Sequence, residues 1–421
     1  MMLTGKSLHA SAERTDRPRI MLILGTRPEV IKMAPIALRL QALRNEFDTV
    51  VCSTAQHRDM LDKSLAIFGL EPEIDLGLMT PRQTLAGLTT RALDALDGVM
   101  DRVRPDFVIV QGDTTSAMVG ALAAYYYRVP VGHLEAGLRT SDLYQPFPEE
   151  GNRRLISTLA TLHFAPTPYA AQRLRQENVP QSQILVTGNT VIDALLHVRD
   201  SNPPEEVNNV PVERRRWQRR RVLLTMHRRE SRGATLEGIC SAISQLVECN
   251  PQVEIVFPVH ASPFVREPVH RLLGHNVRIK LVEPMDYKEL IQTLNSSYFV
   301  MTDSGGIQEE APSLGKPALV LRDTTERPEA IEAGTSRLIG TDPERVLKEA
   351  HILLHDESAY EKMAHAENPY GDGMAAERVV AYLRHHFGMS HERPAPFAPR
   401  SVAGQHTHKA SRSGMRKEDA R

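Results

Sequence analysis

The chain predicts a parallel α/β protein in which two open sheets face one another. From Ile20 to about Gly388, short β-branched apolar runs alternate with helical patterns, as in strands joined by crossover helices. The runs fall into two series, separated by the polar, proline-containing stretch "RDSNPPEEVNNVPVERRRWQRRR", which suits an inter-domain connection. Each run, such as "IMLIL" or "FVIV", is of strand length and far short of the ~20 apolar residues that a spanning helix needs, so no membrane segment is expected.

In chain order the first series predicts strands at Ile20–Leu24, Phe107–Val110, Val129–His133, Leu162–Ala165 and Ile184–Thr187. The second predicts strands at Val222–Thr225, Val253–Phe257, Ile279–Val282, Tyr298–Met301 and Ala318–Leu321. Residues 1–18 and 389–421 are rich in polar and basic residues without periodicity and are expected to stay disordered outside the fold.

Across 421 residues the formal net charge is -1, so no global field points to nucleic acid or to an anionic membrane. The run "RRRWQRRR" reads as a solvated helix end with Trp217 packed on the next domain, in preference to a base-stacking patch. Cys52, Cys240 and Cys249 form no CxxC pair and no disulfide framework, which suits a reducing compartment; with no signal-peptide pattern at the start, the chain is expected to be cytoplasmic.

The chemistry-bearing strings stand at strand ends. In "MLILGTRPEVIK" a strand ends at Gly25-Thr26, Pro28 opens a helix, and Arg27 with Lys32 makes an anion pocket or a solvated pair. Neither GxGxxG nor GxxxxGK[ST] occurs, which argues against nicotinamide chemistry and a P-loop. In "FVIVQGDTTSAM", Asp113 is either a helix cap or a carboxylate at the ligand edge of the sheet. "GHLEAGLRTSDLYQPFPEEGNRR" puts Glu135 at another strand end and Glu149-Glu150 after a stiff Pro-Phe-Pro segment, where they serve proton transfer or the helix dipole.

His227 in "VLLTMHRRESRG" and His260 in "FPVHASP" occupy corresponding strand ends in the second half, His227 beside Arg228 and Arg229. No HExxH or comparable spacing occurs, so no metal is expected. In "MTDSGGIQEEAPSLGKP" the amides of Ser304, Gly305 and Gly306 suit a phosphate, while Glu309 or Glu310 should face sugar hydroxyls; Arg327 follows on the loop after the next strand.

Taken together, "GTRPEVIKMAP", "TAQHRDMLD", "GDTTSA", "VGHLEAGLRTSDLYQPFPEEGNRR", "TGNTVIDAL", "HRRES", "TDSGGIQEEAPSLGKP", "RDTTERPEAIEAGT" and "NPYGDG" closely resemble the non-hydrolysing UDP-N-acetylglucosamine 2-epimerases of bacteria, over about Ile20 to Gly388. The resemblance implies a GT-B-like fold of two Rossmann-like domains facing across a cleft, at 19–188 and 189–373, with a C-terminal helix near 374–388 crossing back to the first. It implies a homodimer, no cofactor, and reversible conversion of UDP-GlcNAc to UDP-ManNAc for surface polysaccharide synthesis. UDP binding would fall to Arg27, Lys32, Ser304, Gly305, Gly306, Glu310 and Arg327, and catalysis to Asp113, Glu135, Glu149 and His227. A second, activating UDP-GlcNAc would lie near Gln56, Arg82, Arg228 and His260. Met226, Gln111 and Ser262 depart from the residues frequent in relatives, which bears on the uridine pocket and the activator site.

Inverting the carbon that bears the acetamido group needs either oxidation of a neighbouring hydroxyl or expulsion of the nucleotide to a glycal, and the missing dinucleotide fingerprint favours expulsion. A GT-B glycosyltransferase, a hydrolysing epimerase and a silent nucleotide-sugar sensor are the rival readings.

Overall fold

The structure is a computed structural model that describes residues 16–54, 58–80, 83–140, 142–202, 219–227, 233–325 and 327–399. The first half runs β1 (Arg19–Leu24), α1 (Arg27–Ala42), β2 (Asp48–Ser53), α2 (Arg58–Ile67), β3 (Ile74–Asp75), α3 (Leu85–Val103), β4 (Phe107–Gln111), α4 (Thr115–Tyr126), β5 (Val131–Leu134), α5 (Glu149–Leu159), β6 (Leu162–Ala165), α6 (Pro168–Gln176), β7 (Ile184–Val186) and α7 (Thr190–Ser201). The second runs β8 (Arg220–Thr225), α8 (Ala234–Cys249), β9 (Val253–Pro258), α9 (Pro263–Leu273), β10 (Ile279–Val282), α10 (Tyr287–Ser296), β11 (Phe299–Thr302), α11 (Gly305–Glu310), β12 (Ala318–Val320), α12 (Pro328–Glu332), β13 (Ser336–Leu338), α13 (Pro343–His355), α14 (Glu357–Ala364) and α15 (Ala375–His386).

All strand pairs are parallel, in a seven-stranded sheet ordered β3-β2-β1-β4-β5-β6-β7 and a six-stranded sheet ordered β10-β9-β8-β11-β12-β13. Chain order reverses between β1 and β4 and again between β8 and β11, the two switch points where open α/β sheets take ligands. These are two Rossmann-like domains in a GT-B-like arrangement. β1 and β4 are buried along their whole length because helices cover both faces, so they read as continuous apolar runs and not as alternation.

One apolar cluster passes through both domains, joining Leu22, Ile36 and Leu195 to Leu223, Ile291 and Ile307. The Phe68 and Tyr287 rings meet across it at 6.4 Å. After the "NPYGDG" segment, α15 crosses back and packs on α1 and α7, burying Val379, Val380 and Leu383. Its open N-terminus is capped by the half it packs on, since Asp193 on α7 accepts the Ala375 and Ala376 N–H groups at 3.2 and 2.8 Å.

Several expectations need correction. Strands β2, β3 and β13 went unread because β2 opens on polar residues and the other two span only two and three residues. The strand expected at Val129–His133 is Val131–Leu134; Pro130, which has no N–H to donate, only accepts from Val108 ahead of it. The domain boundary expected after residue 188 falls just before α7, which packs on α1 of the first half and on α10 and α11 of the second. The tail expected to be disordered from Met389 is ordered through residue 399: the Phe397 N–H donates to Val186 O at 2.8 Å, Phe397 is buried, and Arg393 donates to the Ser182 and Ile184 carbonyls.

The inter-domain connection and Trp217 lie outside the described residues. At the described end of that basic run, Arg219 and Arg221 pair with Glu254 and Arg220 stacks over Tyr298, a structural use of the charges.

Candidate active site

The site grows from the loops after β1, β4, β5, β8 and β11. After β1, Gly25 has no room for a side chain: a Cβ there would lie 2.2 Å from Thr54 Oγ1 and 2.5 Å from Ser116 Oγ. Pro28 stands in the first turn of α1, whose Thr26 gives no side-chain cap, so Arg27 and Lys32 leave from an open helix start. Glu29 in the same turn is turned inward, accepting from Gly25 N–H at 3.1 Å and from the Thr114 hydroxyl at 2.7 Å.

A buried polar chain crosses the domain junction. Lys32 Nζ lies 2.6 Å from Glu135 Oε2, and Gln111 also donates to that oxygen. Asn189 Nδ2 reaches Glu135 Oε1 at 3.3 Å on one side and Glu309 Oε2 at 3.0 Å on the other. Arg327 Nε donates to Glu309 Oε1 at 2.7 Å, completing the series Lys32, Glu135, Asn189, Glu309, Arg327. Gly305 lets the Arg327 guanidinium lie close, since a Cβ would stand 2.3 Å from it and push that side chain aside.

Burial alone would push the Glu135 carboxyl up, but Lys32 beside it, with Arg327 and Arg153, holds it below the usual carboxylate range. Burial likewise works against charge on Lys32 and Arg327, yet Glu135 and Glu309 keep both above their ordinary values. Glu135 adopts φ +63°, a left-handed backbone that is uncommon for non-glycine residues and that Arg104, Arg128 and Asn178 also hold at helix ends.

Glu310 faces a different neighbour. It is buried, the Tyr287 hydroxyl donates to it at 3.0 Å, and desolvation drives its carboxyl up to about 7 despite the opposing pull of Tyr287, Lys32 and Arg27. Arg27 acts on Tyr287 as well, so the first helix start and the Glu310 pocket share one field.

Asp113, after β4, is gripped by Arg153 of α5 through Nη2 at 2.6 Å and Nε at 2.9 Å, while Asn152 donates to its backbone carbonyl at 2.8 Å. The cap of α4 is not Asp113 but Thr114, whose hydroxyl accepts the Ala117 N–H. This removes the cap alternative for Asp113. In the first turn of α5, Glu150 is fully buried and accepts from the Thr140 N–H, Arg153 and Arg154, whereas a buried oxygen of Glu149, Oε2, has no hydrogen-bond partner among the described residues. The two adjacent carboxylates therefore differ: Glu150 is tied down by three donors, and Glu149 keeps one buried oxygen without a partner among the described residues.

After β8, the His227 backbone N–H donates to Asp303 at 3.0 Å and its Nδ1 lies 2.8 Å from the same carboxylate. That pair fixes the ring through Nδ1. The Ser304 N–H is already donated to Thr302 Oγ1 at 2.9 Å, so of the expected phosphate amides Gly305 and Gly306 stand at the open start of α11. His260 is exposed and its Nδ1 accepts the Ser262 N–H at 3.0 Å, a local turn contact. Gln56, Arg82 and Arg228 lie outside the described residues.

Glu29, Asn189, Tyr287, Asp303 and Arg153 enter the site without having been singled out. All but Tyr287 stood in quoted strings beside the residues that were chosen: Glu29 in "GTRPEVIKMAP", Arg153 in "PFPEEGNRR", Asn189 in "TGNT" and Asp303 in "TDSGG". Among the described residues no group of three or more His, Cys, Asp or Glu is arranged to hold a metal, and no helix is long and apolar enough to cross a membrane.

A family profile described as UDP-N-acetylglucosamine 2-epimerase matches residues 40–384. A UDP-N-acetylglucosamine 2-epimerase of Salmonella typhimurium is 49% identical over 370 residues, covering 87% of this chain and 98% of the relative. A solved S. aureus complex with UDP is 42% identical with TM-score 0.80, covering 90% of this chain and 100% of that one. A UDP-GlcNAc 2-epimerase from Neisseria meningitidis, solved with UDP-GlcNAc bound, is 43% identical with TM-score 0.77 and covers 87% and 99% of the two chains. Likeness of this degree over nearly the full length of the relatives goes beyond a shared architecture: the chain belongs to the UDP-N-acetylglucosamine 2-epimerase family and is an isomerase.

Proposed function

We propose that the cleft interconverts UDP-GlcNAc and UDP-ManNAc by eliminating UDP and adding it back. The observation that carries this reading is the buried series Lys32, Glu135, Asn189, Glu309, Arg327, which brings two cations and two carboxylates to the junction of the domains. In the forward direction a carboxylate removes the proton from C2 of the sugar. The C1–O bond breaks, its electron pair leaves on the β-phosphate oxygen of UDP, and C1 and C2 become the double bond of 2-acetamidoglucal. A proton then arrives at C2 on the opposite face and the phosphate oxygen re-forms its bond to C1.

Arg27, Lys32, Arg327 and the amides of Gly305 and Gly306 hold the pyrophosphate, next to Ser304, whose own N–H stays with Thr302 Oγ1, and His227 steadies the charge as it develops. Fixed charges of this kind are worth roughly 10²–10³ in rate each. Glu310 takes the ribose hydroxyls, a role that suits a buried carboxyl with one hydroxyl partner. Asp113, Glu135 and Glu149 supply the proton transfers. A second UDP-GlcNAc lies against Gln56, Arg82, Arg228 and His260 and activates the first. The enzyme works as a cytoplasmic homodimer without a cofactor, and its product feeds surface polysaccharide synthesis.

Purified protein incubated with UDP-GlcNAc alone in deuterium oxide should yield UDP-ManNAc labelled at C2. Release of free ManNAc would instead mark a hydrolysing enzyme, and inertness until an acceptor sugar is added would mark a transferase; either result overturns the proposal.

A further inference from the structure

Glu29 occupies the first turn of α1, where an acidic side chain on the surface would merely complement the helix dipole. It is instead only 1% exposed. Its two oxygens point to different loops: Oε2 accepts the Gly25 N–H of the loop after β1, and Oε1 accepts the Thr114 hydroxyl of the loop after β4. Those two strands are neighbours in the sheet and flank its switch point. Thr26 adds further hydrogen bonds to the same carboxyl. Desolvation outweighs all of them and pushes the group up to about 7, so an acid in this position costs stability.

The surroundings leave the link little slack. Gly25 is pressed against Thr54 and Ser116, whose hydroxyls bond one another at 2.8 Å, and the Thr114 hydroxyl also caps α4 by accepting the Ala117 N–H at 3.0 Å. The loop after β1 leads directly into Arg27, the first residue of α1, and the loop after β4 carries Asp113 immediately before Thr114.

We infer that Glu29 is a positioning residue for the reaction: through Gly25 and Thr114 it fixes the spacing between the Arg27 loop that grips the departing pyrophosphate and the Asp113 carboxylate that handles the proton. The inference rests on the epimerase reading of the cleft. It concerns geometry in the transition state and not the grip on bound UDP, because a small misplacement of reacting groups lowers turnover far more than it lowers ground-state binding.

The test compares wild type with E29Q, T114V, T114S and the double variant E29Q/T114V, following UDP-ManNAc formation and C2 labelling in deuterium oxide. E29Q turns an amide NH2 toward one of the two donors, and T114V removes the hydroxyl. Each should lower kcat by about tenfold or more while KM and UDP affinity stay within about threefold. T114S keeps both roles of the hydroxyl and should stay within about threefold of wild type. The double variant should be no worse than about twofold below the poorer single one, since both substitutions cut the same link.

Unchanged kcat in E29Q and T114V, losses that multiply in the double variant, or a T114S protein as slow as T114V would each overturn the inference. If E29Q does not fold, T114V against T114S decides, because T114S alone keeps the hydroxyl at the link. A wild type that forms no UDP-ManNAc would remove the function and the inference together, whereas an active wild type matched by E29Q and T114V removes the inference alone.

Discussion

Two carboxylates in one crevice are given opposite characters by their neighbours. Glu135 is kept ionised by Lys32, and Glu310 is pushed up to about 7 by desolvation. Because the folded-state value of Glu310 lies above the ordinary 4.5, its contribution to stability is complete below that pH and is lost as pH rises through about 7. E310Q removes this dependence, so its stability relative to wild type should improve by about 3 kcal/mol between acid and pH 8. Thermal unfolding of both proteins at about pH 5 and about pH 8 checks it, and a constant gap would refute it. Subtracting the two curves matters, because His133 and His163, lowered by burial to about 3 and about 4, lose stability in the other direction as pH falls below 6.5. The companion variant E310A should weaken UDP binding, measured by calorimetry, more than it lowers kcat. D113N should abolish C2 deuterium exchange while UDP still binds, and exchange at the wild-type rate would remove Asp113 from the mechanism. The placement of Arg27, Asp113, Glu135 and His227 around one crevice was legible because each follows a strand end, and that of Lys32 because it lies a turn further along the helix that opens at Arg27. Glu29, Asn189 and Asp303 were not, since a sequence shows neither which acids turn inward nor which amide spans two domains.

At the level of elements, the alternation of apolar runs and helical patterns identified ten strands, and it failed where strands are brief or half polar. Short α11 was foreseeable from Pro312 and Gly315: the helix gives way to a 3-10 turn at Ala311–Leu314 and closes at Gly315 with φ +64°. The ordered stretch 389–399 was not, because its hold on β7 depends on one buried ring and two guanidinium contacts instead of periodicity. Phe397 lies under Arg378, which also binds Thr187 O and Asp372 beside the crossing segment. F397A should therefore cost about 2 kcal/mol in chemical unfolding, and truncation after Gly388 at least as much. Unaltered midpoints would show that the strap only rests on the surface.

For the molecule as a whole, the domains are joined by more than their linker. α15 returns to the first domain, Thr167 donates to Glu329 at 2.9 Å, and the Asn189 N–H donates to Tyr370 O at 2.7 Å. N189A, which leaves Glu135 and Glu309 without their shared donor, should lower kcat and widen the solution scattering profile of the protein without UDP. A profile identical to wild type would mean that the amide has no part in holding the halves together.

Lys32 and Arg327 are each matched by a carboxylate, so those four groups sum to zero formal charge before any nucleotide arrives. An incoming pyrophosphate exchanges one anionic partner for another and does not strip a cloud of dissolved ions from bare cations. Affinity for UDP should then vary only weakly between about 50 and about 500 mM potassium chloride. On the proposed reading, entry of the phosphates and release of Glu135 from Lys32 become one event, so that this carboxylate stays paired until a nucleotide is bound.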